Sequence, residues 1–180
     1  MQYDIIIIGA GPGGIFSAYE LLKSKPELRI GVFEAGAPLN KRKCPIDGKK
    51  IKSCIHCKSC AIMNGFGGAG AFSDGKYNIT NEFGGNLYEY VGEQEAIDLM
   101  EYVDEISDAA IAKKCLQNDL HLLKAKVRHL GTDINYVVLE NLYNELKDKA
   151  EFHFFKHIDM VNKIEDGYEV VCGDETYTST

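Results

Sequence analysis

The sequence lacks several features that would place it in a functional class at once. Basic residues are in the minority: 20 Lys and Arg stand against 27 Asp and Glu, and the formal net charge is −7. This shortage of positive charge argues against nucleic acid or an anionic membrane as a partner. No segment approaches the apolar length of a membrane span. We find no internal repeat and no low-complexity stretch.

The apolar N-terminus also lacks the marks of an export signal. No basic residue precedes the isoleucine run, and glycines and Pro12 interrupt it where a cleavage site would be needed. We therefore expect a cytoplasmic protein. In that compartment cysteines are more often reduced thiols, metal ligands or redox groups than disulfides. The sequence has six of them: Cys44, Cys54, Cys57, Cys60, Cys115 and Cys172.

The chain begins with a strand that runs into a glycine-rich turn. The segment 3–8 is apolar and β-branched without alternation, which predicts a strand buried on both faces of a parallel sheet. Residues 9–14 read GAGPGG and fit G-x-G-x-x-G. In this motif Gly9 makes the tight turn, Gly11 lets a pyrophosphate approach the backbone, and Gly14 lets the following helix pack closely. The phosphates would bind free N–H groups at the helix N-terminus.

The residues after the turn supply the context that this motif requires. Apolar residues recur at helical spacing from Ile15 to Leu22, and Pro26 marks the predicted end of the helix. A second strand is predicted over 28–33, and Glu34 follows it, 20 residues after Gly14. A carboxylate there is placed to accept hydrogen bonds from the ribose of an adenine dinucleotide. A strand, turn and helix that bind nothing are the alternative interpretation.

A long loop is predicted after Glu34. It holds Cys44-Pro45, a C-x-x-C-x-x-C group over 54–60, and a second glycine cluster over 65–76. Ordering so many glycines is entropically unfavourable, so the cluster indicates unusual backbone angles or close approach to a ligand. A mobile linker is the alternative, against which Phe66 and Phe72 argue.

The remainder predicts helices followed by a β-meander. An amphipathic helix packed on the sheet is expected over 87–112, and a polar turn over 127–133. A helix then carries Val138, Leu142, Leu146 and Ala150 at a spacing of four, with Thr132 or Asp133 as its cap. Strands are expected over 152–155, 158–164, 168–172 and 175–178, with hairpin turns at Asp166-Gly167 and Gly173-Asp174.

Together these motifs resemble the two-dinucleotide-domain flavoprotein superfamily, which binds FAD at an N-terminal glycine turn followed by a ribose-binding glutamate. More narrowly, the Cys-Pro, the cysteine group, the run GGAGAFSDGK over 67–76 and RHLGTD over 128–133 look like a family of bacterial FAD-dependent dehydrogenases. The resemblance implies an α/β, Rossmann-like FAD-binding domain over 1–180, with a parallel sheet, helices on both of its faces and a β-hairpin or meander towards the C-terminus.

The resemblance also implies how this domain is divided. Residues 35–86 would form a cofactor loop rich in cysteine and glycine, and 87–133 a helical insertion where a substrate region starts. Related flavoproteins continue with a further glycine-containing strand, so we expect the chain to be an incomplete domain, inactive alone. The cofactor-binding residues implied are Gly9, Gly11, Pro12, Gly13, Gly14, Glu34, Ala35, Arg42, Gly67, Gly68, Ala69, Gly70 and Ser73.

The catalytic residues are less defined. Arg128, His129 and Asp133 are candidates, because polar side chains ahead of a helix can present a donor and a proton shuttle near the flavin. A surface or cap-associated histidine is the alternative for His129. NAD(P)H is a candidate reductant, although no second G-x-G-x-x-G occurs.

The cysteine group is open to four interpretations. Cys44, Cys54, Cys57 and Cys60 partly match iron–sulfur ligation, although there the Cys-Pro comes last. Four thiolates could also hold zinc, but zinc sites usually pair two C-x-x-C turns. The third interpretation is a dithiol that exchanges electrons with the flavin, and the fourth is a set of reduced structural cysteines. We therefore assign no metal ligands.

The favoured function is an FAD-dependent oxidoreductase that transfers a hydride or electrons between the flavin and a small-molecule substrate. One alternative is a flavin-binding regulatory or RNA-modifying module, which predicts a basic surface that the net charge of −7 does not favour. A second alternative is a cysteine-based metal or iron–sulfur module on a nucleotide-binding fold.

Overall fold

The computed structural model describes residues 1–116 and 127–180, with side chains described outside 108–129. The chain forms two compact units. The first unit comprises Met1–Ala71 and Leu142–Thr180, and the second unit comprises Phe72–Asn141. The segment 87–133, expected to be a helical insertion, falls in the second unit, and its residues 117–126 lie outside the described part.

The first unit contains a parallel three-stranded sheet. Its strands are β2 (Ile5–Ile8), β3 (Ile30–Glu34) and β6 (Glu151–Phe154), in the order β2-β3-β6. Helix α1 (Pro12–Ser24) connects β2 to β3, as a parallel pair requires. The predicted succession of strand, glycine turn, helix and strand is confirmed, and so is the α/β class.

The prediction that the first strand is buried on both faces is wrong. All five residues of β3 are buried, whereas Ile5, Ile6 and Ile7 are half-buried and Ile8 is 55% exposed. Within the described residues β3 has a partner on each side, while β2 pairs along one edge only. The position of a strand in the sheet, which apolar composition does not encode, decides its burial.

A second, four-stranded sheet forms the predicted meander. Strands β7 (Met160–Ile164), β8 (Gly167–Cys172) and β9 (Glu175–Ser179) are antiparallel and joined by tight turns. Strand β1 (Gln2–Tyr3) adds to β9 in parallel. The N-terminal apolar run is therefore split between two sheets, because Asp4 separates β1 from β2.

The meander packs against one face of the parallel sheet. Tyr3, Phe33 and Tyr177 form a buried cluster there, and the His153 ring stacks on Phe33 with 4.5 Å between ring centroids. The Tyr3 ring lies so close over Gly31 that a methyl group there would stand 2.9 Å from Tyr3 Cε2. The elements that cover the aromatic side chains of this face are strands of the meander.

The opposite face of the sheet packs against helical and loop residues. The first of these helices, α1, buries Ile15, Ala18 and Leu22. Phe152 of β6 makes edge contacts with Phe66, 5.7 Å between centroids, and with Tyr143, 5.5 Å. The loop segment holding Phe66 is thus part of the core and not a solvated linker.

The loop between β3 and the second unit contains two short 3₁₀ helices, Leu39–Lys41 and Gly68–Phe72. The second unit begins with strand β4 (Lys76–Asn78), antiparallel to β5 (Val127–His129). Its helices are α2 (Tyr88–Val91), α3 (Glu93–Leu116) and α4 (Gly131–Leu146), whose last turns belong to the first unit.

Three predictions in the second unit are wrong. The helix expected over 87–112 is interrupted at Gly92, whose φ of 91° is left-handed and ends α2. The polar turn expected over 127–133 is instead strand β5, because its backbone pairs with β4, followed directly by α4. Since α4 already begins at Gly131, Thr132 and Asp133 lie in its first turn and do not precede it as an N-cap would. Among the described helices, none is both long and apolar enough to cross a membrane.

Candidate functional site

The glycine turn at the end of β2 presents peptide N–H groups at the start of α1. Gly9 has a φ of 98°, and its N–H donates to the carbonyl oxygen of Phe33 at 2.7 Å, which joins the turn to β3. Gly11 precedes the helix without a side-chain cap, and Pro12 occupies the first helical position. The N–H groups of Gly13 and Gly14 follow in the first turn, where helical N–H groups have no partner within the helix. This arrangement suits an anion.

Gly14 must be glycine for α1 to start where it does. A methyl group at this position would overlap the carbonyl oxygen of Gly9 and would lie 3.2 Å from Cγ2 of Ile7. Gly11 differs, because a methyl group there would meet only the Cα of Gly68, at 4.0 Å. The protein therefore needs Gly14 for packing, whereas it leaves open space at Gly11.

Glu34 lies at the end of β3, with its side chain turned into the loop. The residue is 7% exposed. Its Oε2 accepts a hydrogen bond from the N–H of Ala10 at 2.8 Å, and its Oε1 accepts from Gly36 at 2.7 Å and Gly65 at 2.9 Å. These backbone donors stabilise a buried carboxylate. Oε2 keeps acceptor capacity for a further hydroxyl group.

The second glycine segment, residues 65–70, packs directly on the first glycine turn. The N–H of Gly67 donates to the carbonyl oxygen of Ala10 at 2.7 Å. Gly65, Gly67 and Gly68 all have left-handed φ values, 118°, 86° and 57°. A methyl group at Gly70 would lie 3.9 Å from Cγ of Pro12. The two segments therefore pack against each other through backbone atoms.

Arg42 is buried behind the second glycine segment. The side chain donates from Nε to the carbonyl oxygen of Ala61 at 2.9 Å and from Nη2 to that of Ile62 at 2.7 Å. Its Nη1 donates to the carbonyl oxygens of Phe66 at 2.7 Å and Gly68 at 2.8 Å. Burial lowers the pKa of Arg42, and the nearby charge of Glu34 opposes that shift. Arg42 therefore acts on the loop backbone.

The structure brings most of the expected cofactor residues together in the first unit. Hydrogen bonds join Glu34 and Arg42 to backbone groups of the two glycine segments, and Gly67 to Ala10. Gly11, Pro12, Gly13, Gly14 and Gly70 belong to the same two segments, and Ala35 and Ala69 lie beside them in the chain. Ser73 belongs to the second unit, where its Oγ accepts from the N–H of Gly75 at 3.2 Å. Asp133 is exposed in the first turn of α4. The side chains of Arg128 and His129 lie outside the described part.

The cysteine group is not assembled as a metal site. Cys54 and Cys57 are exposed, and Cys44 and Cys60 are half-buried free thiols. Among the side chains that the structure describes, those of residues 1–107 and 130–180, no three of Cys, His, Asp or Glu are grouped as metal ligands.

Sequence reasoning missed the contact between Gly36 and Gly65. A methyl group at Gly36 would lie 2.7 Å from the Cα of Gly65, and one at Gly65 would lie 2.6 Å from the carbonyl oxygen of Ala37. These glycines let the chain after β3 pass directly against the second glycine segment. Gly65 opens the predicted glycine cluster, which was the available signal, whereas nothing near Gly36 distinguishes it from an ordinary loop glycine.

The second unit contains a separate cleft of about 750 Å³. Three carboxylates, Glu82, Glu93 and Glu101, and the rings of Phe83 and Tyr88 line it. Its lining is thus rich in hydrogen-bond acceptors and apolar surface.

Comparison with known proteins shows a shared fold. No protein-family model matches the chain. Thiamine thiazole synthase of Yarrowia lipolytica is 54% identical over 35 residues, which is 19% of this chain and 11% of that protein. Glycine oxidase from Geobacillus kaustophilus has a TM-score of 0.54 at 12% identity, over 99% of this chain and 53% of that one.

Thioredoxin reductase of T. acidophilum is similar at a TM-score of 0.47 and 11% identity, over 99% of this chain and 33% of that one. The chain thus spans about half the length of the first solved structure and a third of the second. The likeness to glycine oxidase confirms the Rossmann-like fold class that the sequence predicts.

Proposed function

We propose that this chain binds FAD and forms part of an FAD-dependent oxidoreductase acting on a small molecule. The observation that carries the proposal is the glycine turn at the start of α1, against which the second glycine segment packs through backbone atoms. A methyl group at Gly11 would fit within the protein, 4.0 Å from the Cα of Gly68, so packing alone does not require a glycine there. The shared fold with glycine oxidase supports an oxidoreductase role.

The residues present fit the ADP half of the cofactor. The N–H groups of Gly13 and Gly14 face the diphosphate at the start of α1, where the helix dipole favours negative charge. Glu34 Oε2 accepts a ribose hydroxyl group. Residues 67–70 are proposed to contact the cofactor beside this turn, and Ser73 of the second unit stays a further candidate. FAD supplies the hydride and electron chemistry, and this chain binds and orients it.

The finer parts of the functional hypothesis are proposals of the same kind. Arg128, His129 and Asp133 are candidates for substrate contacts and proton transfer, and NAD(P)H is a candidate reductant. The protein is expected in the cytoplasm of a bacterium.

The test measures FAD binding by the purified protein and by Gly11→Ala. The protein should purify yellow or bind added FAD, and denaturation should release FAD. Because the methyl group at Gly11 has space in the protein but intrudes on the diphosphate, we expect the variant to stay folded and lose affinity at least about ten-fold, or 1.4 kcal/mol. Ser24→Ala, on the exposed end of α1, serves as the control and should bind FAD as before.

Two outcomes would contradict the proposal. One is a folded protein, by circular dichroism, that binds no FAD at any accessible concentration. The other is a Gly11→Ala variant that binds FAD as tightly as the unmodified protein, since the diphosphate would then lie away from this turn.

A further inference from the structure

Arg42 joins parts of the loop that are far apart in the sequence. Its guanidinium donates to the carbonyl oxygens of Ala61, Ile62, Phe66 and Gly68, at 2.7 to 2.9 Å. The residue is 6% exposed. One side chain therefore connects the two ends of the loop 43–60, which carries most of the cysteine group. The same side chain also contacts Gly68, which lies next to Gly11.

The backbone of this segment depends on such a partner. The glycines at 65, 67 and 68 have left-handed φ values, so the chain ahead of the 3₁₀ helix that begins at Gly68 does not form the repeated hydrogen bonds of a regular helix. Buried carbonyl groups without a donor are unfavourable. Arginine offers five N–H donors in a planar fork, which lets one residue bond several carbonyls that converge.

Glu34 binds a backbone N–H group of the same segment. Its Oε1 accepts from the N–H of Gly65, while Arg42 donates to the carbonyl oxygens on either side of that residue. The two opposite charges thus fix the segment against the first glycine turn, where the N–H of Gly67 bonds to Ala10.

We propose that Arg42 is a positioning residue, which holds the second glycine segment beside the first glycine turn so that residues 67–70 can contact a diphosphate bound at that turn. This inference rests on the proposed FAD binding. It differs from a direct role for Arg42 as the cation that attracts the phosphates, because the guanidinium donates to four backbone carbonyls.

A positioning role and a direct cationic role for Arg42 predict different losses of affinity for a long ligand, FAD, and a short one, AMP. A positioning residue matters for FAD, whose diphosphate is proposed to contact both glycine segments. It matters little for AMP, which the first turn and Glu34 hold from one side. A direct cation would matter for both ligands, and a lysine would replace it.

The experiment compares Arg42→Met and Arg42→Lys with the unmodified protein, using FAD and AMP as probes in titration calorimetry or AMP competition. Lys41→Met is the matched control, since it removes an exposed cation next in the chain. We expect both Arg42 variants to weaken FAD binding at least about ten-fold, because a loss of that size corresponds to one or two net hydrogen bonds. The Kd for AMP should stay within about two-fold of the value for the unmodified protein. Lys41→Met should bind both ligands normally.

Limited trypsin digestion supplies a second readout. Release of the loop should speed cleavage after Lys58 in both Arg42 variants. If Arg42→Met does not fold, the ratio of FAD to AMP affinity in Arg42→Lys decides the question.

Three results would overturn the inference while leaving FAD binding intact. They are an Arg42→Lys variant that binds FAD normally, equal losses for FAD and AMP, and a loss of FAD affinity without faster cleavage after Lys58. If the unmodified protein binds no FAD, the proposed function fails first, and this outcome is separate from the three above.

Discussion

Replacing Gly14 by Ala sets helix propensity against packing, and we expect packing to dominate. Gly14 lies in α1, where alanine is normally favoured over glycine by up to about 1 kcal/mol. The added methyl group would overlap the carbonyl oxygen of Gly9 and stand 3.1 Å from its carbonyl carbon. On the other side it would lie 3.2 Å from Cγ2 of Ile7.

The size of the loss follows from how little these atoms can move. Gly9 is held by its N–H bond to the carbonyl oxygen of Phe33, at 2.7 Å, so the turn cannot retreat without losing its contact with β3. Overpacking against well-placed groups destabilises proteins by roughly 1–3 kcal/mol, and here the obstacle is backbone. After subtracting the gain in helix propensity, we expect a net loss of about 2 kcal/mol.

Urea unfolding followed by circular dichroism at 25 °C measures this difference. Gly13→Ala is the matched control, because it adds the same methyl group to the preceding helical residue with no heavy atom within 4 Å. That variant should be as stable as the unmodified protein or slightly more stable. In a thermal scan, Gly14→Ala should lower Tm by roughly 4–8 °C. Equal or higher stability of Gly14→Ala would refute the packing argument.

Two further predictions concern the first unit. Burial lowers the pKa of His153, so the unfolded chain takes up a proton below about pH 6.5 before the folded protein does, and the free energy of unfolding should fall as the pH drops from 7 to 5. His153→Gln lacks this titration, and a stability difference from the unmodified protein that stays constant across this range would contradict the prediction. Exposed Cys54 and Cys57 should react with a thiol reagent at pH 8 before Cys172, because burial raises the pKa of the Cys172 thiol. The Cys172→Ser variant should therefore lose a slow phase of the reaction, and loss of a fast phase would contradict the assignment.

Local patterns predict the elements well where neighbouring residues decide the conformation. The apolar run, the glycine spacing and the helical periodicity place β2, α1 and β3 to within a few residues, and the turns at 166–167 and 173–174 give the meander. The errors arise where distant segments meet. Residues 127–129 read as a polar turn, but pairing with β4 makes them a strand.

The same distinction holds for the site. The order of a few neighbouring residues is enough to predict a glycine turn at 9–14 and Glu34 at the end of the next strand. The contacts of Glu34 and Arg42 follow only from the folded chain. Their partners lie 19 to 31 residues away for the loop contacts, and hydrogen bonds to backbone groups leave no signature in side-chain identity.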